Sequence, residues 1–135
     1  CSFAVTVLDT HVWIWWLGDP ARLSRPARDQ IDRAVDAGGV HVSSISVWEV
    51  GALVAVGRLR LTITFEDWLA RSQGLPFLQF VPVDNHVAFR ATQLPPELPG
   101  DPADRMIVAT AESLGARLVT KDRRLRDHLG EQAVW

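Results

Sequence analysis

Four acidic residues stand where this chain is expected to turn from strand to helix or to open a helix. Asp9 follows an apolar run that ends at Leu8, and Asp122 follows one that ends at Thr120. Glu49 falls early in a helical stretch after Val40–Val42, and Asp104 falls early in another after a Pro-rich loop. Carboxylate oxygens are the donors that hard divalent cations such as Mg²⁺ and Mn²⁺ prefer. Four carboxylates sharing one cleft without a cation would repel one another and raise one another's pKa values. Convergence of the four therefore points to a divalent metal site.

Each acid alone also fits a structural role. Ser46-Val-Trp-Glu49 matches a capping box. Asp101 followed by Pro102 matches an N-cap with proline at the first helical position, and Asp104 completes a similar pattern. Asp9 and Asp122 fit turn residues that bond their own backbone. The joint placement separates the two readings, so the elements that position these acids decide the matter.

Those elements alternate. Phe3–Leu8 reads as a buried strand, followed by a short helix over His11–Leu17 that Gly18-Asp19-Pro20 breaks. Ser24 caps a helix that stops at Gly38-Gly39. Val40–Val42 is a second strand, and a helix from Ser44 or Ser46 runs to about Val56. Thr64–Ser72 is a helix opened by Thr64. Phe77–Val83 is a third strand, with Pro82 arguing for an edge position or an early end. Asp84 caps a helix to about Leu94, and Pro95–Gly100 is the most loop-like stretch of the chain. Asp101-Pro102 opens a helix through Leu114 that Gly115 stops. Arg117–Thr120 is a fourth strand, Arg124–Leu129 a short helix and Ala133-Val134 a last strand. This order predicts an α/β fold with a mainly parallel sheet covered on both faces. In such sheets ligands bind beyond the carboxyl ends of the strands.

Composition sets the outer bounds. The 135 residues suit one domain over 1–135. An apolar share of 47% with 22% charged residues is that of a folded globular chain, not a disordered one. One cysteine excludes a disulfide framework and a thiolate zinc cage. A net charge of −2 excludes a protein whose overall field drives nucleic-acid binding. No apolar run approaches the roughly 20 residues of a membrane span, and no signal peptide is legible. The expected location is cytoplasmic, with no membrane partner.

The motifs Val7-Leu-Asp9-Thr10-His11, Ser44-Ile-Ser-Val-Trp-Glu49, Asp101-Pro-Ala-Asp104-Arg105-Met-Ile-Val-Ala-Thr-Ala111 and Leu118-Val-Thr-Lys-Asp122-Arg-Arg-Leu125 closely resemble those of PIN domains. They are most similar to the VapC-type ribonuclease toxins of the VapBC toxin–antitoxin class. The resemblance runs from about residue 5 to the end, with every motif in order. It implies a three-layer α/β/α fold, Mg²⁺- or Mn²⁺-dependent endoribonuclease activity, a cognate VapB-type antitoxin and a homodimer. It carries the family's acids onto Asp9, Glu49, Asp104 and Asp122. Pro99-Gly100 stands where this subgroup often has a histidine, and Ala103 where it often has phenylalanine; both departures bear on substrate preference, not on metal binding.

On this reading Asp9 and Asp104 are the main metal ligands, and Glu49 and Asp122 complete the pocket. A bound cation activates water and neutralises phosphoryl charge. Thr10, Ser44 and Thr120 stand beside the acids; caps and strand-end bonds are their simpler role, and Thr120 is the first choice for a functional one. Arg105, Lys121, Arg123, Arg124 and Arg126 offer a basic rim for phosphates. A solvated face is the simpler reading for Arg124 and Arg126, and pairing with a nearby acid is the simpler one for Arg105. His11 adjoins Asp9 and is a candidate proton shuttle, although packing is commoner; His41, His86 and His128 form no ligand set. Trp13, Trp15 and Trp16 cannot share one helix face, so at least one is expected to meet a second subunit or partner. Trp48 and Val54 are candidates for an antitoxin groove, with core packing the simpler reading. Two alternatives stand beside the nuclease: a non-catalytic PIN-like domain that binds RNA or protein, and a Mg²⁺-binding receiver module.

Overall fold

Short β-branched, apolar runs leave the backbone extended, and five of them pair into one sheet, most deeply buried at its centre. In the computed structural model, which describes residues 5–37, 39–98 and 100–135, these are β1 (Thr6–Leu8), β2 (Val40–Ser43), β3 (Leu78–Val81), β4 (Arg117–Val119) and β5 (Ala133–Val134). Between them lie α1 (Thr10–Gly18), α2 (Arg25–Asp36), α3 (Ser44–Ala55), α4 (Phe65–Gln73), α5 (Asn85–Thr92), α6 (Pro102–Leu114) and α7 (Arg123–Leu129). The beginning expected for the first strand at Phe3, the helix stop at Gly38 and the Pro99 departure lie outside the described residues.

Every strand pair is parallel, and the order is β3-β2-β1-β4-β5. Pro82 directly follows β3, which is the edge strand the proline foretold. From β1 the chain builds outward through β2 and β3, then returns to lay β4 on the other side of β1. The direction reverses between β1 and β4, and the carboxyl ends of those two strands open the crevice where such sheets bind ligands. This order also removes the receiver alternative, whose flavodoxin-like sheet runs 2-1-3-4-5.

Side chains alternate across the sheet and divide the core in two. Leu8, Val40, Val42 and Val119 pack under Val12 and Trp13 of α1 and Ala27 and Ile31 of α2. Val7 and Leu118 point the other way, onto Ile107 and Val108 of α6 and Leu125 of α7. The result is the expected three-layer α/β/α arrangement.

Local signals set most helix ends. Ser24, Thr64, Asp84 and Asp101 each accept a backbone N–H from the first turn of their helix. Gly115 ends α6 at φ +61°, a left-handed conformation that glycine adopts without a Cβ penalty.

The tryptophans of α1 face different ways, as expected of one short helix. Trp13 is fully buried, with Trp68 at 4.6 Å and Phe80 at 5.5 Å between ring centroids. Trp16 packs edge-on to Phe77, and Trp15 lies 6.0 Å from Trp135. Each indole has an aromatic neighbour within the chain, and Trp15 and Trp16 remain half-buried. Val54 packs against the core, as its simpler reading held. Trp48 does not: it is 66% exposed on the outer face of α3.

Candidate metal centre

Helices α1, α3 and α7 begin where β1, β2 and β4 end, and α6 runs back across the sheet with its first turn at that same edge. Four helix N-termini therefore border one place, and their partial positive charge favours anions there. Asp9 caps α1, Ser43 caps α3, Asp101 caps α6 and Asp122 caps α7. Asp101 is the cap it was expected to be, and Asp9 and Asp122, expected as turn residues, cap helices as well; neither role competes with a site. The caps at Asp101 and Asp122 engage Oδ1 alone, and at Asp9 the second oxygen takes a bond from Thr120.

The four expected acids share one cavity. A hollow of about 320 Å³ is lined by Asp9, Glu49, Asp104 and Asp122, together with Asp101, His11 and Lys121. Among the described residues, Glu49, Asp101 and Asp104 each place a carboxylate oxygen within 4.8 Å of the others. Asp101 was expected only as a cap. Its Oδ1 accepts the Ala103 N–H at 2.9 Å, and its position one turn before Asp104 brings both acids to the same end of α6. The i, i+3 spacing was the signal that could have found it.

Two threonines hold the buried acids. Thr120 Oγ1 donates to Asp9 Oδ2 at 2.6 Å, and the Thr10 N–H donates to Asp9 Oδ1 at 2.8 Å. Thr10 Oγ1 donates to Glu49 Oε1 at 2.5 Å and lies 2.8 Å from Ser46 Oγ. A hydroxyl has one proton, so with Glu49 ionised Ser46 is the donor to Thr10. The expected capping box is therefore absent. Helix α3 starts at Ser44 with Ser43 as its cap, which puts Glu49 in the second turn and turns Ser46 and Glu49 together toward Thr10. Ser44 is exposed at the head of α3; Ser46, expected only as a helix cap, is the α3 serine within the network.

The electrostatics are those of carboxylates short of counter-charge. Burial raises the Asp9 carboxyl above its ordinary value, against the bonds from Thr120 and Thr10. Burial raises Glu49 too, opposed by Thr10. Asp104 is pushed up to about 7, first by burial and then by the charges of Asp9, Asp101, Glu49 and Asp122. An all-oxygen donor set with this unmet negative charge fits a hard divalent cation.

The basic residues divide differently from expectation. Arg105 is engaged by backbone: its guanidinium donates to the carbonyls of Ala91 (3.2 Å), Leu94 (2.7 Å) and Pro95 (3.2 Å). The last carbonyls of α5 and the loop after it lack helical partners, and a planar fork satisfies three of them. Lys121 is exposed on the cavity rim, whereas Arg123 is exposed beyond it. Arg124 lies 3.9 Å from Asp122 with most of its side chain in solvent, a pair of little energetic weight. His11 lines the cavity and packs 5.8 Å from the Trp15 ring.

Known proteins resemble this chain over most of its length. The PIN domain family model matches residues 6–129. Ribonuclease VapC22 of Mycobacterium tuberculosis is 43% identical over 122 residues, covering 90% of each chain. The structure of DNA-bound VapBC from Salmonella typhimurium aligns with TM-score 0.63 at 25% identity, over 91% of this chain and 90% of that one. A toxin–antitoxin complex from Klebsiella pneumoniae shares the fold with TM-score 0.62 at 19% identity, over 96% of both chains.

Proposed function

The chain belongs to the PIN domain family, and from that premise we propose that it is a divalent-metal-dependent endoribonuclease, the toxin of a type II toxin–antitoxin pair. The observation that carries the reading is the gathering of five carboxylates on one cavity at the point where the sheet order reverses. A fold gains nothing by placing Asp104 where burial and then the charges of its neighbours push its carboxyl to about 7. A site for a cation does.

Asp104, Glu49 and Asp101 would hold Mg²⁺ or Mn²⁺, with Asp9 and Asp122 on the same wall as further ligands, direct or through water. Such an ion supplies an activated water and charge neutralisation for phosphodiester hydrolysis. The chain's own groups do the positioning. Thr120 and Thr10 hold Asp9 in one rotamer, and Thr10 and Ser46 do the same for Glu49. Lys121 on the rim attracts the phosphate backbone toward a cavity that is otherwise negative. Arg123 stands farther out as a phosphate contact along the strand.

The partners that follow are an RNA substrate, a VapB-type antitoxin and a second copy of the chain. VapC22 is named a ribonuclease, and the aligned Salmonella structure is a VapBC complex. Trp48 on α3, Val56 just after it and Phe89 on α5 are each about two-thirds exposed, apolar surface that a second copy would cover. No helix among the described residues is long and apolar enough to cross a membrane.

The test is cleavage of RNA by the purified protein with Mg²⁺, with EDTA, and with Asp9→Asn or Asp104→Asn. Cleavage that needs the metal and both carboxylates is expected. Metal-independent cleavage that survives both substitutions would sink the reading, and metal binding without cleavage would favour the non-catalytic alternative. Light scattering on Trp48→Glu checks the homodimer: a mass falling from two copies to one is expected, and an unchanged mass removes α3 from the interface.

A further inference from the structure

A second cavity, of about 500 Å³, adjoins the acidic one and has Trp15 as a common wall. It lies between α1, α4 and the segment 59–63 that links α3 to α4. Its walls are Trp15, Trp68 and aliphatic side chains, including Leu61 and Ile63. Its charge is opposite to that of its neighbour: Arg22, Arg60 and Arg71 line it against one acid, Asp19. None of these three arginines forms an ion pair among the described residues. Ser72, fully buried on the same lining, has a hydroxyl without a hydrogen-bond partner.

The two cavities are linked by cations on one indole. Arg22, which lines the second cavity, lies 4.7 Å from the Trp15 ring centroid. Lys121, which lines the acidic one, lies 5.9 Å from it. An apolar hollow with an aromatic wall and unpaired guanidinium groups is how single-stranded nucleic acid is held without a fixed sequence. Its volume is in the range of small-ligand sites.

Resting on the nuclease reading above, we propose that this cavity is the subsite for the nucleotide flanking the scissile phosphate. The base enters between Trp15 and the Leu61–Ile63 wall, and Arg22, Arg60 and Arg71 take the backbone phosphates beside it. A strand whose phosphate reaches the carboxylates must continue past Trp15. That continuity favours RNA over an acidic protein segment as the occupant. Base preference at the flanking position is then set by this hollow and not by the acidic residues.

The experiment uses the full chain and a short oligoribonucleotide in EDTA, which withholds the cation that cleavage needs. Binding is followed by anisotropy and by NMR of the Trp15 indole and arginine side-chain signals. The wild type should show shifts at Trp15, Arg60 and Arg71. The double variant Arg60→Gln/Arg71→Gln, whose changes are at exposed positions and whose fold is checked by its melting curve, should bind roughly tenfold more weakly. Its affinity should also fall less steeply with salt, by about 1.4 in the log–log slope. Ile63→Ala should change the base found beside the cut in a randomised RNA library. Unshifted Trp15 signals with unaltered affinity overturn the subsite even if cleavage is intact. Binding that shifts Trp15 in a protein that never cuts RNA overturns the nuclease and leaves the subsite standing. Capture of an acidic helical peptide at these residues, with no RNA there, replaces the nucleotide by a protein partner.

Discussion

The hydroxyl of Thr120 donates to Asp9 Oδ2 at 2.6 Å across 111 residues of sequence. It ties the carboxyl ends of β1 and β4, the two strands between which the sheet reverses direction. The same hydroxyl accepts the Asp122 N–H at 3.1 Å. One side chain thus positions a buried carboxylate and the backbone of a second acid.

Thr120→Val keeps the shape and removes both bonds. A buried acceptor left without its donor costs about 1–3 kcal/mol. The expected outcome is lower stability in urea titration, reduced turnover and an activity profile shifted to higher pH, because the bond from Thr120 holds the Asp9 carboxyl down. Thr120→Ser should restore most of all three. An unaltered pH profile in the valine variant would reduce Thr120 to packing.

Asp104→Asn should separate stability from activity. Burial and like charges raise the Asp104 carboxyl to about 7, so the ionised form works against folding in the metal-free protein. At pH 8, without metal, the variant should melt a few degrees above the wild type, and RNA cleavage should fall by at least about a hundredfold. Differential scanning fluorimetry and a gel-based cleavage assay check the two halves. A variant less stable than the wild type would contradict the charge argument.

The pH dependence follows the same sign. A carboxyl raised in the folded state keeps a proton that the unfolded chain releases. Its contribution to stability is full below the unfolded value of 3.8 and is lost as pH rises through about 7. The metal-free protein should therefore lose stability from this group between about pH 4 and pH 7. Mg²⁺ should restore it most strongly above pH 7, where its ligands are ionised, and little near pH 5. A matrix of melting temperatures against pH and Mg²⁺ measures this, and a metal effect that grows on acidification would refute it.

Arg105→Ala should act on the fold and not on RNA. It removes three donors from the carbonyls that close α5 and its loop, at a cost of roughly 2–4 kcal/mol. Arg105→Lys should rescue little, because an ammonium cannot reproduce the planar fork. The salt slope of RNA binding should be unchanged in either variant. A shallower slope would return Arg105 to phosphate contact.

Much of this protein is local and was therefore legible. The β-then-α order, the edge position of β3 given by Pro82, the caps at Ser24, Thr64, Asp84 and Asp101, and the glycine stop at Gly115 all depend on a few neighbouring residues. So does the placing of Asp9, Glu49 and Asp122 after strands, which sufficed to expect a shared acidic cleft.

What only the tertiary structure decided is adjacency. Which strand ends meet depends on strand order, and no local signal encodes it; once β4 lies beside β1, Asp9 acquires Thr120. The spacing of Ser46 and Glu49 suits a capping box and a shared helix face equally well, and the start of α3 at Ser44 chose the face. Arg105 has the charge of a phosphate ligand, but the loop after α5 lies against it with unmet carbonyls. The three tryptophans of α1 need three different neighbours, and the packing of α4, β3 and Trp135 around that helix supplies them. Residue type sets what a group is able to bond; the path of the chain sets what is within reach.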